Sequence, residues 1–282
     1  MSGKRLKDYA NAEIRVAAGI LCLMLLASCG TSPSRKTPGK EALTLYRQGY
    51  DWTERKKYDL ALSSFTKALE REPDYSDACM ARGIVHYRLK NYARALADME
   101  RVLVLEPDRA EAYNQRGVIR DLQGKQDLAL EDFSRAISLD PRAGSAYANR
   151  GKILGRRGEI GRALADYGSA IALGFTDSLV YNNRGLLLLH KKRLDEALED
   201  FRRAAELEPS SFVAYYNMAL ACSEKGDQKE ALRYFRRAAA LSLRDRSHAG
   251  FLRGHLESNP GELKTLRDTA EFRKWMSRLK RR

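Results

Sequence analysis

The sequence is poor in the residues that most chemistry requires. Its 282 residues include four cysteines, four histidines, two tryptophans and seven prolines. The cysteines stand at 22, 29, 79 and 222 with no Cys-x-x-Cys pair, and His86, His190, His248 and His255 lack metal-ligand spacing. Zinc and dithiol sites therefore have no signature here. There is no Gly-x-Ser-x-Gly elbow and no Gly-x4-Gly-Lys phosphate loop. Gly155, Gly158 and Gly161 imitate a glycine-rich loop, but they fall at a helix end, a turn and a helix start, with no strand pattern before them. The expectation is a non-enzymatic chain with no catalytic residue, no cofactor and no metal. Long apolar runs are missing too. The run from Val16 to Ala27 would reach only about 18 Å as a helix, against a hydrocarbon core of about 30 Å.

What is present begins with charge. The net charge is +14, with 44% apolar and 31% charged residues, which fits a folded helical protein. From Arg244 onward there are eleven Lys/Arg against five Asp/Glu, so much of the excess lies in the tail. Elsewhere the signs are mixed, as on solvated helix faces, and no nucleic-acid partner is expected.

The N-terminus reads as a targeting segment. Lys4, Arg5, Lys7 and Arg15 precede the short apolar run, the pattern of a secretory signal peptide over residues 1–28. The run ends in Leu26-Ala27-Ser28-Cys29, which resembles the lipobox of bacterial lipoproteins. That resemblance implies acylation at Cys29 and an anchor of two or three chains, enough for stable attachment. Gly30 follows, where an aspartate tends to retain such lipoproteins in the inner membrane. The expected location is therefore the bacterial cell envelope, at the outer membrane facing the periplasm. Residues 29–41, rich in Gly, Ser, Pro and Thr, read as a lipidated flexible tether.

A period of 34 residues governs the rest. Ala61, Ala95, Ala129, Ala163, Ala197 and Ala231 recur in one frame. Glycines recur at 49, 83, 117, 151 and 185, and Phe65, Met99, Phe133, Tyr167, Phe201 and Phe235 follow four residues after each alanine. Pro73, Pro107, Pro141 and Pro209 close four units. Such a period means stacked helical hairpins. In the third unit a first helix is expected near residues 111–122, a turn at 123–125 and a second helix near 128–139. Gly124, Gly158 and Gly226 supply left-handed turn residues. Tyr113, Gly117, Ala129, Phe133, Ala136 and Pro141 resemble the signature of the tetratricopeptide repeat (TPR). The resemblance implies an all-α, right-handed superhelix of six repeats, at 42–75, 76–109, 110–143, 144–177, 178–211 and 212–245. Phe175 and Leu243 stand where two units lack the proline, and Ala219 replaces the glycine of unit six. Four repeats apart, Cys79 and Cys222 cannot approach the roughly 7 Å that a disulfide needs, and are expected as buried free thiols.

Units two to five carry Arg82, Arg116, Arg150 and Arg184 before the glycine, and Asp98, Asp132, Asp166 and Asp200 before the aromatic position. Units one and six lack both. Joint presence and absence point to four structural ion pairs between helices, with a ligand role as the alternative. The resemblance also implies that first helices line a concave groove, into which the residue two before the glycine points. Gln115, Asn149, Asn183 and Asn217 hold that position. An amide donates and accepts, so such a ladder could hold the backbone of an extended peptide, with Asn114, Asn182 and Lys152 as neighbours. The alternative is that these amides only solvate a helix surface.

After the repeats, residues 248–257 and 262–280 read as helices separated by Asn259-Pro260-Gly261. Leu263, Leu266, Phe272, Trp275, Met276 and Leu279 lie at helical spacing, so 246–282 is expected to cap the last repeat and end in a basic tail. Contact of this basic segment with anionic lipid or an acidic partner is the competing reading. Taken together, the sequence resembles TPR lipoproteins of the pilotin type, which carry six repeats and help outer-membrane secretins assemble. It also resembles the NlpI type, which brings peptidoglycan hydrolases and proteases together. The expected role is a membrane-tethered adaptor with a protein or peptide partner in the groove. A non-lipidated TPR interaction module is the rival, and the oligomeric state stays open.

Overall fold

A computed structural model describes residues 37–280. The signal segment and the Cys29 lipidation site lie outside the described residues. Those described contain fifteen helices and no strand. Six pairs follow one another: α1 Lys40–Glu54 and α2 Tyr58–Arg71, α3 Ser76–Arg88 and α4 Tyr92–Leu105, α5 Ala110–Leu122 and α6 Gln126–Leu139, α7 Gly144–Arg156 and α8 Ile160–Ala172, α9 Ser178–His190 and α10 Leu194–Leu207, α11 Phe212–Lys225 and α12 Gln228–Ser242. Three C-terminal helices follow: α13 Arg246–Ser258, α14 Lys264–Arg267 and α15 Ala270–Lys280. The chain divides into two compact units at Ile153/Leu154, within α7.

The 34-residue frame has a direct packing cause. All six frame alanines are fully buried at 0% exposure. A Cβ added at Gly49 would lie 2.6 Å from the Phe65 ring, at Gly117 2.7 Å from Phe133, and at Gly185 2.6 Å from Phe201. Each glycine is thus the seat of its own repeat's aromatic ring, and no side chain fits between them. In unit two the side chain of Met99 takes the ring's place over Gly83.

The turns between paired helices show a second periodicity that the sequence pattern only half revealed. Gly124, Gly158 and Gly226 adopt φ of 78°, 80° and 81°. The same place in units one, two and five is held by Lys56, Lys90 and Lys192, at φ of 56°, 61° and 62°. The hairpin requires a left-handed residue there whatever its side chain. Unit four, which lacks the closing proline, ends α8 at Gly174 instead, with φ 78°.

The two units differ in how helices begin. In the second, Asp177 Oδ1 accepts from the Leu179 N–H at 2.7 Å, Asp227 Oδ1 from Glu230 N–H at 3.0 Å, and Asp245 Oδ1 from Ser247 N–H at 2.7 Å. The helices α1 to α6 of the first unit start without a side-chain cap.

The C-terminal segment corrects the sequence expectation in one respect. The single helix expected over 262–280 is broken at Thr269, whose Oγ1 accepts from Phe272 N–H at 3.2 Å and so starts a new helix. Leu263, Leu266 and Phe272 are buried in the core of the second unit, with Trp275 and Met276 packed against it. The Leu279 side chain lies outside the described ones. Cys79 and Cys222 are buried free thiols, each pushed up to about 11 chiefly by burial. No described helix is long and apolar enough to cross a membrane.

Candidate functional site

The arginine–aspartate positions form bridges between first and second helices of a repeat. Arg82 Nη2 lies 2.6 Å from Asp98 Oδ1, Arg116 Nη2 2.8 Å from Asp132 Oδ1, and Arg184 Nη2 2.6 Å from Asp200 Oδ1. The aspartates are buried and the arginines partly so, and Arg82 and Arg184 are held above their ordinary pKa by the hydrogen-bonded carboxylate. Asp132 receives a second guanidinium, from Arg120 at 2.8 Å. Three of these arginine positions also sit over a tyrosine one turn back: Arg116 over Tyr113 at 5.3 Å, Arg150 over Tyr147 at 5.7 Å, and Arg184 over Tyr181 at 6.0 Å. Arg150 and Asp166 fall in different compact units. Arg150 Nη1 lies 3.3 Å from Ser134 Oγ, and Asp166 is buried.

The amide ladder is corrected in part. Asn149 Nδ2 donates to Asn114 Oδ1 at 3.0 Å, and Asn217 Nδ2 donates to Asn182 Oδ1 at 3.0 Å. Asn183 hydrogen-bonds Tyr167, the repeat-four aromatic that carries a hydroxyl, whose pKa burial raises. Each of the three asparagines therefore serves a contact between helices, which supplies the reason for asparagine at an unfavourable mid-helix place. Asn114, Asn182 and Asn217 are buried; Asn217 is 0% exposed and not open to a ligand. Gln115, Asn149 and Asn183 stay half-exposed. The sequence held the missed signal: Asn114 and Asn182 stand 35 residues before Asn149 and Asn217, whereas Ala148 stands 35 before Asn183.

In the first unit these groups assemble into one polar surface along α5 and α7. Asn114 Nδ2 also donates to Ser145 Oγ at 3.3 Å, and Lys152 Nζ lies 3.3 Å from Asp121 Oδ2, one turn beyond Asn149. Arg109, before α5, lies 2.7 Å from Asp77 and near Glu106 and Glu111. Burial works against its charge, but these carboxylates more than offset that and raise its pKa. A surface of amides beside paired charges is suited to holding a peptide backbone. No group of His, Cys, Asp or Glu suited to a metal is found among the described residues.

Comparison with known proteins agrees with the geometry. Three family models, each described as tetratricopeptide repeat, match residues 46–104, 83–153 and 177–244. No curated protein matches. Among solved structures, pilF of Pseudomonas aeruginosa is similar with a TM-score of 0.67 at 17% identity, covering 76% of this chain and 97% of that one. YrrB, described as a TPR protein with an unusual peptide-binding site, matches with a TM-score of 0.53 at 24% identity, over 64% of this chain and 92% of that one. A thermophilic TPR protein of Thermus thermophilus gives a TM-score of 0.52 at 24% identity, over 64% of this chain and 98% of that one.

Proposed function

We propose that this chain, which belongs to the tetratricopeptide-repeat family, is a lipid-anchored adaptor that holds a protein partner through an extended peptide segment. The observation that carries the binding role is the surface of the first unit, where half-exposed Gln115 and Asn149 stand on successive first helices beside the Lys152–Asp121 pair. One amide can answer both the N–H and the C=O of a ligand peptide unit. The peptide-binding site described for YrrB supports a ligand of this kind. A photo-crosslinking residue at Gln115 should capture the partner in intact cells, and one at Arg135, on an exposed second-helix face, should not. Equal capture from both positions would refute the surface.

The anchor is Cys29, carried by the basic leader, the short apolar run and the Leu26-Ala27-Ser28-Cys29 box. The Cys29→Ala chain should leave the bacterial membrane fraction and lose palmitate label. Label that persists in this variant overturns lipidation and favours the unanchored interaction module. Within the envelope, we place the client among secretins of type IV pilus assembly, a reading supported by the six repeats and the pilF-like fold. Deletion should then abolish secretin multimers. If multimers remain and peptidoglycan crosslinking changes, the hydrolase-adaptor role replaces it.

A further inference from the structure

Along the row of positions two before the signature glycine, Gln115, Asn149 and Asn183 are half-exposed, whereas Asn217 is closed off completely. Its neighbour Tyr216 is 2% exposed. Tyr216 is engaged by the chain's own C-terminal segment: its hydroxyl donates to Glu262 Oε2, and the Nε2 of His255 lies 2.9 Å from the same oxygen. Glu262, the buried carboxylate, is followed by Leu263 and Leu266, which enter the core beside Leu252 and Leu256. Three side chains of one short strap thus fill three prepared places, one for a carboxylate and two for apolar groups.

We infer that the second unit contains a peptide seat, occupied in this structure by the strap at residues 259–266. Its external ligand is a peptide bearing a carboxylate, a large apolar residue directly after it, and a second apolar residue three positions on.

Two features mark the strap as exchangeable. Leu263 sits at φ 50°, a left-handed conformation that a large side chain rarely adopts. The strap is also bounded by elements anchored independently of it. On its N-terminal side, α13 is held by Phe212 against His248 at 5.0 Å and against Phe251 at 6.2 Å. On the C-terminal side, α15 is held by Phe272 against Phe235 at 4.8 Å and by Glu271 paired with Arg236. From outside, half-buried Arg267 clasps the carbonyls of Glu262, Leu256 and Asn259 at 3.0, 2.8 and 3.0 Å. Thr265 adds a bond to Ser223 at 2.8 Å and accepts from Gln228 at 2.8 Å. The strap can therefore lift without withdrawing its flanking helices, and the seat competes between an internal and an external acidic segment.

The test uses the full chain and a fluorescent peptide copying residues 259–268. The parent should bind the peptide weakly, because its own strap fills the seat. Glu262→Gln should bind it at least about tenfold more tightly, and a peptide with its glutamate changed to glutamine should lose that gain, a difference of about 1.4 kcal/mol. Arg267→Ala, which opens the clasp without touching the seat, should also bind. In both variants amide exchange over 259–267 should speed up while α9 to α12 keep their protection. The inference is overturned if neither variant binds the peptide, or if exchange in α9 to α12 rises together with the strap, since the segment would then be only a structural cap.

Discussion

The apolar core of the first unit falls into several clusters supplemented by paired charges and amides, whereas the second has one continuous apolar cluster and three helix starts capped by aspartate. In the first, Asp132 takes two guanidiniums, Arg109 is ringed by carboxylates and Asn114 bonds across to two partners. In the second, one hydrophobic cluster runs from Tyr181 to Phe272, and Asp177, Asp227 and Asp245 start three helices. The charges follow the same division. Residues 37–153 carry 20 Lys/Arg against 18 Asp/Glu, while 154–282 carry 25 against 17. A single 34-residue template therefore fixes the alanine, glycine and aromatic places, and leaves each unit free to satisfy the remaining surface differently. Polar satisfaction yields a surface that can still bond a ligand, and apolar satisfaction requires a cap.

The largest expected effects test whether the units are energetically separate. Phe133→Ala and Phe201→Ala each remove a fully buried ring from its glycine seat and should cost about 3–5 kcal/mol by denaturant unfolding. Hydrogen exchange should accelerate in the first unit for Phe133→Ala and in the second for Phe201→Ala. Uniform acceleration in both would mean one cooperative block. Next, Asp132→Asn leaves two arginines facing a neutral group and should cost about 3 kcal/mol, against about 2 for Asp200→Asn, which faces one. Arg116→Met should lessen the cost of Asp132→Asn in a double-mutant cycle, and additivity would deny the pairing.

Smaller still, Asn217→Ala should cost about 2 kcal/mol because it strands the buried Asn182 carbonyl, whereas half-exposed Asn149→Ala should cost about 1. Equal costs would erase the distinction between a sealed and an open amide row. The least effect has the opposite sign. Lys90→Gly relieves a left-handed lysine and should stabilise the first unit by about 1 kcal/mol in thermal unfolding, while Gly158→Ala should destabilise by a similar amount.

Much of the fold was legible because a hairpin repeat imposes the same burial on the same positions. The alanine frame, the glycine-and-ring pair and the turn at Gly124 could be read from spacing alone. The lysines at φ above zero could not, because in those units backbone geometry overrides residue preference. The site was less legible. Asparagines at one helix position look like a ladder facing outward, yet their partners are fixed by what stands 35 residues earlier or by a tyrosine hydroxyl in the preceding repeat. The break at Thr269 escaped because the apolar spacing continues through it, and only the local side-chain bond to Phe272 starts a new helix. The seat around Glu262 depends on residues 46 positions apart, beyond any periodic signal.

The repeated arginine–aspartate pairs join residues 16 apart in sequence, and the asparagine–asparagine hydrogen bonds join residues 35 apart. Contacts this local keep loop-closure entropy small and let structure propagate from any folded neighbour. A chain built this way gains order progressively as it lengthens. The first unit holds its internal contacts before Glu262 has been synthesised, so the strap closes onto repeats already in place, and a competitor for its seat meets a finished surface.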